Sequence, residues 1–315
     1  MKNYKMRQLI IIFLYITCCL NLKIDYSPTS PIWTNNNCEL GSNQSPINLP
    51  QDLSKYQYSD SISLVSTHYS KISNPTIKAI NDGEKISFAS ESLGYILFNY
   101  YNNTYKYDAF EMNFHIPSEH FIGGVQAPLE IQINHTKDLT YTNSTNSAKE
   151  QNADNNYLII SLFFLNKDKY TSEFIRSFTN FRGVKESLIP SVAEPDNEAF
   201  NIMNLNTVIL SHKMFFYYKG SMTLPPCNEE VHWLIQNHYL YLSNSQYLIL
   251  KDLIGQYYNI SEGNHREIQT NENVNQGNIY ALYNNSITIN IMFTYSTFNK
   301  IGYKLLFFVL LYFTF

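Results

Sequence analysis

The segment from Phe110 to His135 constrains the fold of this chain more than any other, because it contains two strand patterns with polar side chains on one face. Asn113 and His115 are two residues apart, so their side chains point to the same face of a strand. Gln132 lies in a later alternating run. A tetrahedral zinc site needs imidazole, thiolate or carboxylate ligands. This face offers one imidazole and two amides.

The rest of the chain predicts a β-rich protein with few helices and no internal repeat. Strand patterns, separated by polar turns, cover Ile86–Phe88, Tyr95–Phe98, Tyr105–His115, Tyr157–Leu165, Met214–Tyr218 and Val231–Gln236. The continuous apolar run from Tyr157 to Leu165 favours a buried strand, although its periodicity alone also fits a helix. Gln246–Tyr258 has helical apolar spacing, with Ser243 or Ser245 as its cap. Thr136–Asn156 is polar and predicts a surface loop.

The charge and the two ends of the chain bear on partners and location. A net charge of −4 provides no basic field for nucleic acid, so we expect no nucleic-acid partner.

Basic residues precede the apolar run Leu9–Ile16, which predicts a secretory signal peptide over residues 1–22, with an uncleaved anchor as the alternative. Residues 284–315 form a tail that ends in the apolar run Leu305–Phe315. It resembles a GPI-attachment signal, and a retained membrane anchor or a buried final strand stays open.

N-glycosylation sequons fit a secreted chain. They occur at Asn102, Asn134, Asn143, Asn259 and Asn284. Such sequons also arise by chance in an asparagine-rich chain, so they support the signal peptide only indirectly. Asn143 lies in the polar loop and is the best candidate acceptor.

Three blocks of sequence resemble the α-class carbonic anhydrases. The opening segment keeps the family's pattern at Phe114, His115, Pro117, Ser118, Glu119, His120, Pro128, Glu130 and His135. Gly220–Cys227 reads GSMTLPPC where the family has GSLTTPPC, and the likeness continues to Trp233. The third block runs from Trp33 to Leu49 and contains QSPINL. The resemblance covers residues 25–283 and implies a mainly β (α+β) fold: a large twisted, mostly antiparallel sheet with short peripheral helices.

The same resemblance shows where the chain departs from the family. The three zinc-binding histidines of the family fall at Asn113, His115 and Gln132, so two of the three are not histidine. Amides are weak ligands for zinc. The family's proton-shuttle histidine falls at Glu84, and the second threonine of its Thr-Thr pair is Leu224.

Other parts of the family's site are kept. Glu119 and Thr223 match its gate pair, in which a carboxylate accepts the threonine hydroxyl proton and the threonine orients a zinc-bound hydroxide. Glu130 matches the carboxylate that supports the third histidine, and here it would face Gln132. These groups support either residual chemistry or a buried hydrogen-bond network that the fold needs. We favour the network.

Cysteine usage also fits the secretory route. Cys18 and Cys19 lie in or beside the signal peptide, which leaves Cys38 and Cys227 in the mature chain. An even count in a secreted chain suggests a disulfide. Secreted members of the family join these two positions, so the resemblance implies a Cys38–Cys227 bond.

Two hypotheses of function follow. In the first, the chain is a secreted or cell-surface domain that has lost zinc-dependent CO₂ hydration, needs no cofactor, and binds an unidentified protein or glycan in recognition or adhesion. In the second, it is an active carbonic anhydrase with an altered metal site and zinc as its cofactor. The paired loss of histidine at Asn113 and Gln132 favours the first. In both, the C-terminal tail would provide the contact with a membrane.

Overall fold

The computed structural model describes residues 26–27, 30–69, 78–81, 86–89, 93–101, 103–141, 156–179, 191–193, 203–210, 214–255 and 263–283. The predicted signal peptide and C-terminal tail lie outside these residues. So do the shuttle position Glu84 and the sequons at Asn102, Asn143, Asn259 and Asn284. Within the described ranges, no helix has the length and apolar character needed to cross a membrane.

Strands make up most of the regular structure in the described residues. They are β1 (Asn48–Leu49), β2 (Gln57–Tyr58), β3 (Ile62–Tyr69), β4 (Lys78–Asn81), β5 (Ile86–Ala89), β6 (Gly94–Tyr100), β7 (Asn103–His115), β8 (Phe121–Ile122), β9 (Val125–Gln126), β10 (Leu129–Lys137), β11 (Tyr157–Asn166), β12 (Ser191–Ala193), β13 (Met214–Ser221), β14 (Glu229–Leu242) and β15 (Tyr280–Tyr283). The helices are α1 (Asn37–Leu40), α2 (Glu173–Thr179), α3 (Met203–Leu210), α4 (Asn244–Gly255) and α5 (Glu272–Asn275), with short 3-10 turns at Pro31–Trp33 and Leu53–Lys55.

Twelve of these strands form one large sheet. Its order is β12-β4-β5-β7-β10-β11-β14-β13-β15-β2, and β6 pairs with the first half of β7 and with β3. Neighbours are antiparallel except for β11 with β14 and β15 with β2. A small separate sheet consists of β1, β8 and β9. The predicted fold, a large and mostly antiparallel sheet with short helices, is confirmed.

The apolar run on β11 reflects burial on both faces of the sheet. Ile160 and Leu162 belong to the main hydrophobic cluster, whereas Ile159 and Phe163 belong to a second cluster. A strand that packs apolar groups on both faces needs a continuous apolar run rather than an alternating one. The strand predicted over Tyr157–Leu165 is therefore confirmed, and the helical alternative is excluded.

The other predicted strands are present with longer bounds. Hydrogen bonding to neighbours continues beyond the alternating patterns, so β7 begins before Tyr105 and β14 extends beyond Gln236. β10 likewise continues to Lys137 beside β7. The loop predicted over Thr136–Asn156 therefore starts later than expected, and its residues 142–155 lie outside the described parts of the chain.

The helix predicted at Gln246–Tyr258 is α4, which begins two residues earlier, at Asn244. It is described as far as Gly255, where that described range ends. Of the two predicted caps, Ser243 is the one that acts, because its Oγ accepts the backbone N–H of Gln246 at 3.1 Å.

A disulfide joins Cys38 to Cys227, as predicted. Their Cα atoms are 4.9 Å apart across a sequence separation of 189 residues. In the chain-entropy model, a loop of this length stabilises the fold by at most about 5 kcal/mol. The bond ties α1 to the connection between β13 and β14.

Two buried histidines pack against aromatic rings of the main hydrophobic cluster. Nε2 of His135 lies 2.7 Å from the Tyr69 hydroxyl, and its Nδ1 lies 3.1 Å from the Leu158 carbonyl oxygen. Burial lowers the pKa of His135 to about 4, because the charged ring would lose its hydration. Burial also holds the pKa of His232 well below its usual value. Both rings are therefore neutral in the folded domain near neutral pH.

We expect the free energy of unfolding to decrease as the pH falls from 6.5 to about 4. In this window the unfolded chain binds a proton at His135 and the folded domain does not, so protons favour the unfolded state. The difference between the two pKa values corresponds to about 3 kcal/mol from this residue. Urea unfolding at a series of pH values measures this decrease in the free energy of unfolding.

Across the same pH window, the free energy of unfolding of a His135→Gln variant should fall by about 3 kcal/mol less than that of the wild-type chain, because the variant lacks the titrating ring. The matched control is His68→Gln, since the His68 ring is exposed, and this variant should follow the wild-type profile. Parallel profiles for wild type and His135→Gln would contradict the prediction.

Candidate functional site

A row of polar side chains crosses the sheet at the predicted ligand positions. Ser87 on β5 pairs with Asn113 on β7, and Asn113 pairs with Gln132 on β10. Gln132 in turn pairs with Ser161 on β11. Directly opposed residues on neighbouring strands point to the same face of a sheet. All four side chains are buried, so the sheet carries a polar row inside the molecule.

His115 lies beside the polar row, two residues from Asn113 and opposite Glu130. Its Nδ1 lies 2.8 Å from the backbone oxygen of Asn264, an atom that can only accept, so Nδ1 carries the proton. Nδ1 also lies 3.6 Å from Glu119 Oε1. None of the described residues forms a hydrogen bond with His115 Nε2, with Asn113 Oδ1 or with Ser87 Oγ, although all three atoms are buried.

The carboxylate of Glu130 is the centre of the hydrogen bonding around the site. It is fully buried and accepts from five donors: the backbone N–H groups of Glu119 and His120, His120 Nδ1, Gln132 Nε2 and Ser161 Oγ. Desolvation raises the pKa of Glu130, but the attraction and hydrogen bonds of His120 outweigh it and hold the pKa at about 2. Glu130 is therefore an ionised carboxylate inside the protein.

Gln132 uses its amide nitrogen to connect two carboxylates. Nε2 donates to Glu119 Oε2 at 2.8 Å and to Glu130 Oε1 at 3.1 Å. An amide nitrogen has two hydrogens and no lone pair to offer, so both of its donors are used here. The carbonyl oxygen is the only atom of the amide that can bind anything else.

The Glu119 carboxylate accepts hydrogen bonds from two donors among the described residues, and Thr223 is neither of them. Its Oε2 accepts from Gln132, and its Oε1 accepts the backbone N–H of Arg266 at 3.0 Å. Thr223 is buried in the GSMTLPPC block, but no hydrogen bond between the described residues joins it to Glu119. The adjacent Leu224 packs against the main hydrophobic cluster.

A segment far along the chain completes the site, and no local pattern pointed to it. Asn264 accepts the N–H of Ile116 through Oδ1 at 2.8 Å and donates through Nδ2 to the Phe114 oxygen at 2.7 Å. Gly263 allows this approach, because its φ is +99° and a Cβ there would clash with the backbone oxygen of Ile116. Asn264 and Phe114 are 150 residues apart in the sequence, so no spacing of residues along the chain could predict the contact.

Buried groups connect the site to the disulfide. His120 Nε2 lies 2.7 Å from the Tyr218 hydroxyl, which lies 2.8 Å from Ser45 Oγ. The Arg266 guanidinium donates to the backbone oxygen of Ser45 at 2.6 Å and to that of Cys38 at 2.9 Å. The site and the disulfide are therefore parts of one hydrogen-bonded network. The sequence patterns indicated Glu119 and Glu130 but gave no signal for Tyr218 or Arg266.

These residues do not fit a zinc ion held by three imidazoles. His115 offers one nitrogen lone pair, Asn113 offers an amide oxygen, and Gln132 offers an amide whose nitrogen already donates to two acids. Neutral amides are weak zinc ligands. In the described part of the chain, no group of three or more His, Cys, Asp or Glu side chains is placed to hold a metal ion.

One predicted glycosylation position lies close to the site. Asn134 is 2% exposed on β10, and its Nδ2 donates to Glu111 Oε2 at 3.3 Å. A side chain enclosed within the sheet has no room for a glycan. The fold therefore argues against Asn134 as an acceptor.

Comparisons with known proteins identify the family of this chain. The family model for eukaryotic-type carbonic anhydrase matches residues 29–281. A carbonic anhydrase of Pectobacterium atrosepticum is 25% identical over 201 residues, which cover 64% of this chain and 68% of that relative. Dioscorin dioA3 of Dioscorea japonica is 25% identical over 159 residues. That match covers 49% of this chain and 49% of the dioscorin.

Solved structures share the fold. Carbonic anhydrase Cah3 from Chlamydomonas reinhardtii, in complex with acetazolamide, matches with a TM-score of 0.61 at 18% identity, over 82% of this chain and 98% of that one. At this identity the likeness shows the fold alone. The family model, however, spans the large sheet and every part of the polar site. The chain belongs to the eukaryotic-type carbonic anhydrase family.

Proposed function

We propose that this protein is a carbonic-anhydrase-like domain that does not hydrate CO₂ and acts by recognition outside the cell or at its surface. The observation that carries the proposal is the hydrogen bonding of Gln132. At the position of the third zinc-binding histidine, its amide donates to Glu119 and Glu130. Both acids thereby gain a donor without a metal.

The family's chemistry depends on ligands that this site does not provide. Zinc lowers the pKa of bound water to about 7, which makes hydroxide available to attack CO₂. Amides stand at two of the three ligand positions, Asn113 and Gln132. The nearby His120 and His135 cannot replace them, because both ring nitrogens of each are engaged in hydrogen bonds.

The features of the chain that concern location support secretion. The Cys38–Cys227 disulfide is typical of proteins that fold in an oxidising compartment. The signal-peptide pattern of residues 1–22 fits the same route, and the apolar tail of residues 284–315 supports attachment to a membrane. The proposed partner is a protein or a glycan that reaches the domain outside the cell.

The alternative is an active carbonic anhydrase with an altered metal site. It is favoured by the Nε2 atom of His115, which has no hydrogen-bond partner among the described residues, and by the retained carboxylates of Glu119 and Glu130. This alternative requires zinc as a cofactor and activity that disappears when the metal is removed.

We expect protein purified without chelators to contain much less than one zinc ion per chain and to leave CO₂ hydration at the rate of buffer alone. The physical reason is that one imidazole and two amides bind zinc too weakly. Elemental analysis and stopped-flow hydration assays measure the two quantities. Stoichiometric zinc, together with hydration well above buffer, would establish the alternative instead.

The double variant Asn113→His with Gln132→His provides the contrast. Three imidazoles should create a zinc site, and elemental analysis should then find about one zinc ion per chain. Asn134→His is the matched control, because it adds an imidazole to the same sheet outside the ligand positions and should not bind zinc. CO₂ hydration gained only by the double variant would show that the two amides are what removed the activity.

The retained acid Glu130 should matter for stability. A Glu130→Gln variant replaces one acceptor oxygen by a donor that faces other donors, and should lower the free energy of unfolding by about 3 to 5 kcal/mol. The control Glu173→Gln alters an exposed acid 3.4 Å from Arg176, and should cost less than about 1 kcal/mol. Urea unfolding measures the free energy of unfolding of both variants and of the wild-type chain. Equal, small effects would contradict a structural role for Glu130.

A further inference from the structure

Two exposed tyrosine rings stack on each other at the edge of the large sheet. Tyr58 lies on the edge strand β2 and Tyr283 lies on β15, its neighbour. The two ring centroids are 5.7 Å apart, and the ring planes differ by 15°. Tyr58 is 60% exposed and Tyr283 is 49% exposed. The pair therefore presents two phenol groups side by side to the solvent.

The backbone holds the two rings together. β15 pairs in parallel with β2, and Ala281 is the register partner of Tyr58. Tyr283 is two residues beyond Ala281, so its side chain lies on the same face as that of Tyr58. The Gln57 N–H donates to the Ile279 oxygen at 2.8 Å and fixes β2 against β15. Groups held in contact in this way react as if their concentration were very high.

The hydroxyl ends of the two rings lie together. Interaction with the Tyr283 hydroxyl raises the pKa of Tyr58 above its usual value, because hydrogen bonding favours the neutral phenol. A phenoxyl radical forms carbon–carbon bonds at the ortho carbons, which flank the carbon that carries the oxygen. The reactive carbons of the two rings are therefore neighbours, and exposed side chains rotate fast enough to bring them into contact.

The other exposed tyrosines in the described ranges lack such a partner. They are Tyr101 and Tyr170. Tyr101 meets Tyr100 edge to face, and Tyr170 meets Tyr241 in the same way. Tyr100 and Tyr241 are both half-buried. Neither pair exposes two phenols together, as Tyr58 and Tyr283 do.

Lysine side chains also lie over those two half-buried rings. Lys219 Nζ lies 5.1 Å from the centroid of the Tyr100 ring, and Lys167 Nζ lies 4.6 Å from that of Tyr241. A positive charge over a ring attracts its π electrons and so opposes the loss of an electron. No cation from the described parts of the chain lies over the stacked pair. Oxidation should therefore favour that pair.

We propose that Tyr58 and Tyr283 are the site of an oxidative cross-link, a dityrosine formed within one chain by a peroxidase and hydrogen peroxide. Each phenol gives up one hydrogen atom, as an electron and a proton, and becomes a phenoxyl radical. The two radicals join through a bond between ortho carbons, and the hydrogens on those carbons move to the oxygens and restore the phenols. One peroxide molecule takes up the two hydrogen atoms and becomes two molecules of water.

The cross-link ties the edge strand β2 to β15, the last strand before the predicted C-terminal tail. It restricts the unfolded chain, as a disulfide does, so the oxidised domain resists unfolding. The Cys38–Cys227 bond already fits an oxidising compartment, where such oxidants act. The inference rests on the extracellular location in the proposed function, but not on the loss of CO₂ hydration.

The test treats the full chain at pH 7 with hydrogen peroxide and a haem peroxidase. Dityrosine fluorescence should appear. Mass spectrometry of the digested monomer should find the peptides of Tyr58 and Tyr283 joined, with the loss of two hydrogen atoms. The thermal unfolding midpoint should rise relative to the untreated chain. Cross-links at other tyrosines only, or only between two chains, would overturn the proposal.

A variant locates the cross-link. Tyr283→Phe keeps the ring but removes the hydroxyl from which the radical forms, so it should lose most of the fluorescence and the rise in the midpoint. Tyr170→Phe is the matched control, because it removes an exposed hydroxyl from another aromatic pair, and it should keep both. Equal fluorescence from the two variants would contradict the assignment.

These measurements are separate from those that test the proposed function. Neither the fluorescence nor the joined peptides depend on zinc or on CO₂ hydration. A chain that lacks hydratase activity and forms no Tyr58–Tyr283 bond would overturn the cross-link alone. A chain that hydrates CO₂ and forms the bond would overturn the proposed loss of activity and leave the cross-link in place.

Discussion

The buried carboxylate of Glu130 is the constraint on which the rest of the site depends. A charge removed from water is tolerated only where donors surround it. The donors come from three places: β10 itself through Gln132, β11 through Ser161, and the turn after β7 through Glu119 and His120. One charge therefore fixes the mutual positions of three neighbouring strands. Through His120 the same network reaches the N-terminal loop and the disulfide.

This network explains how the site tolerates glutamine at a position where the family has a metal-binding histidine. The neighbouring acids need an N–H donor, and the amide of Gln132 supplies two. A zinc ion held by imidazoles is bound through nitrogen lone pairs, and the amide nitrogen has none to offer. The amide therefore suits the hydrogen bonding around the two acids, and it is a weaker ligand for zinc than an imidazole.

Much of the fold could be predicted because its signals are local. The alternation before His115, the doubly apolar run of β11 and the helical spacing of α4 each result from one element packing against the core. The two mature cysteines could be paired because the family resemblance supplied the partner. The predicted strand boundaries were less accurate. A strand continues as long as its backbone pairs with a neighbouring strand, which can extend beyond the alternating side-chain pattern.

The sequence by itself determined a β-rich fold class with a row of polar side chains, and its resemblance to the family predicted the disulfide and placed Asn113 and Gln132 at two zinc-ligand positions. Only the tertiary structure decided what those amides do. In the structure, the Gln132 amide donates to two acids, and Asn264 contacts His115 from 149 residues away. Three polar atoms of the buried row have no hydrogen-bond partner among the described residues. The physical reason is that a hydrogen bond depends on the direction of atoms in space. Separation along the chain does not encode that direction when the partners come from different strands.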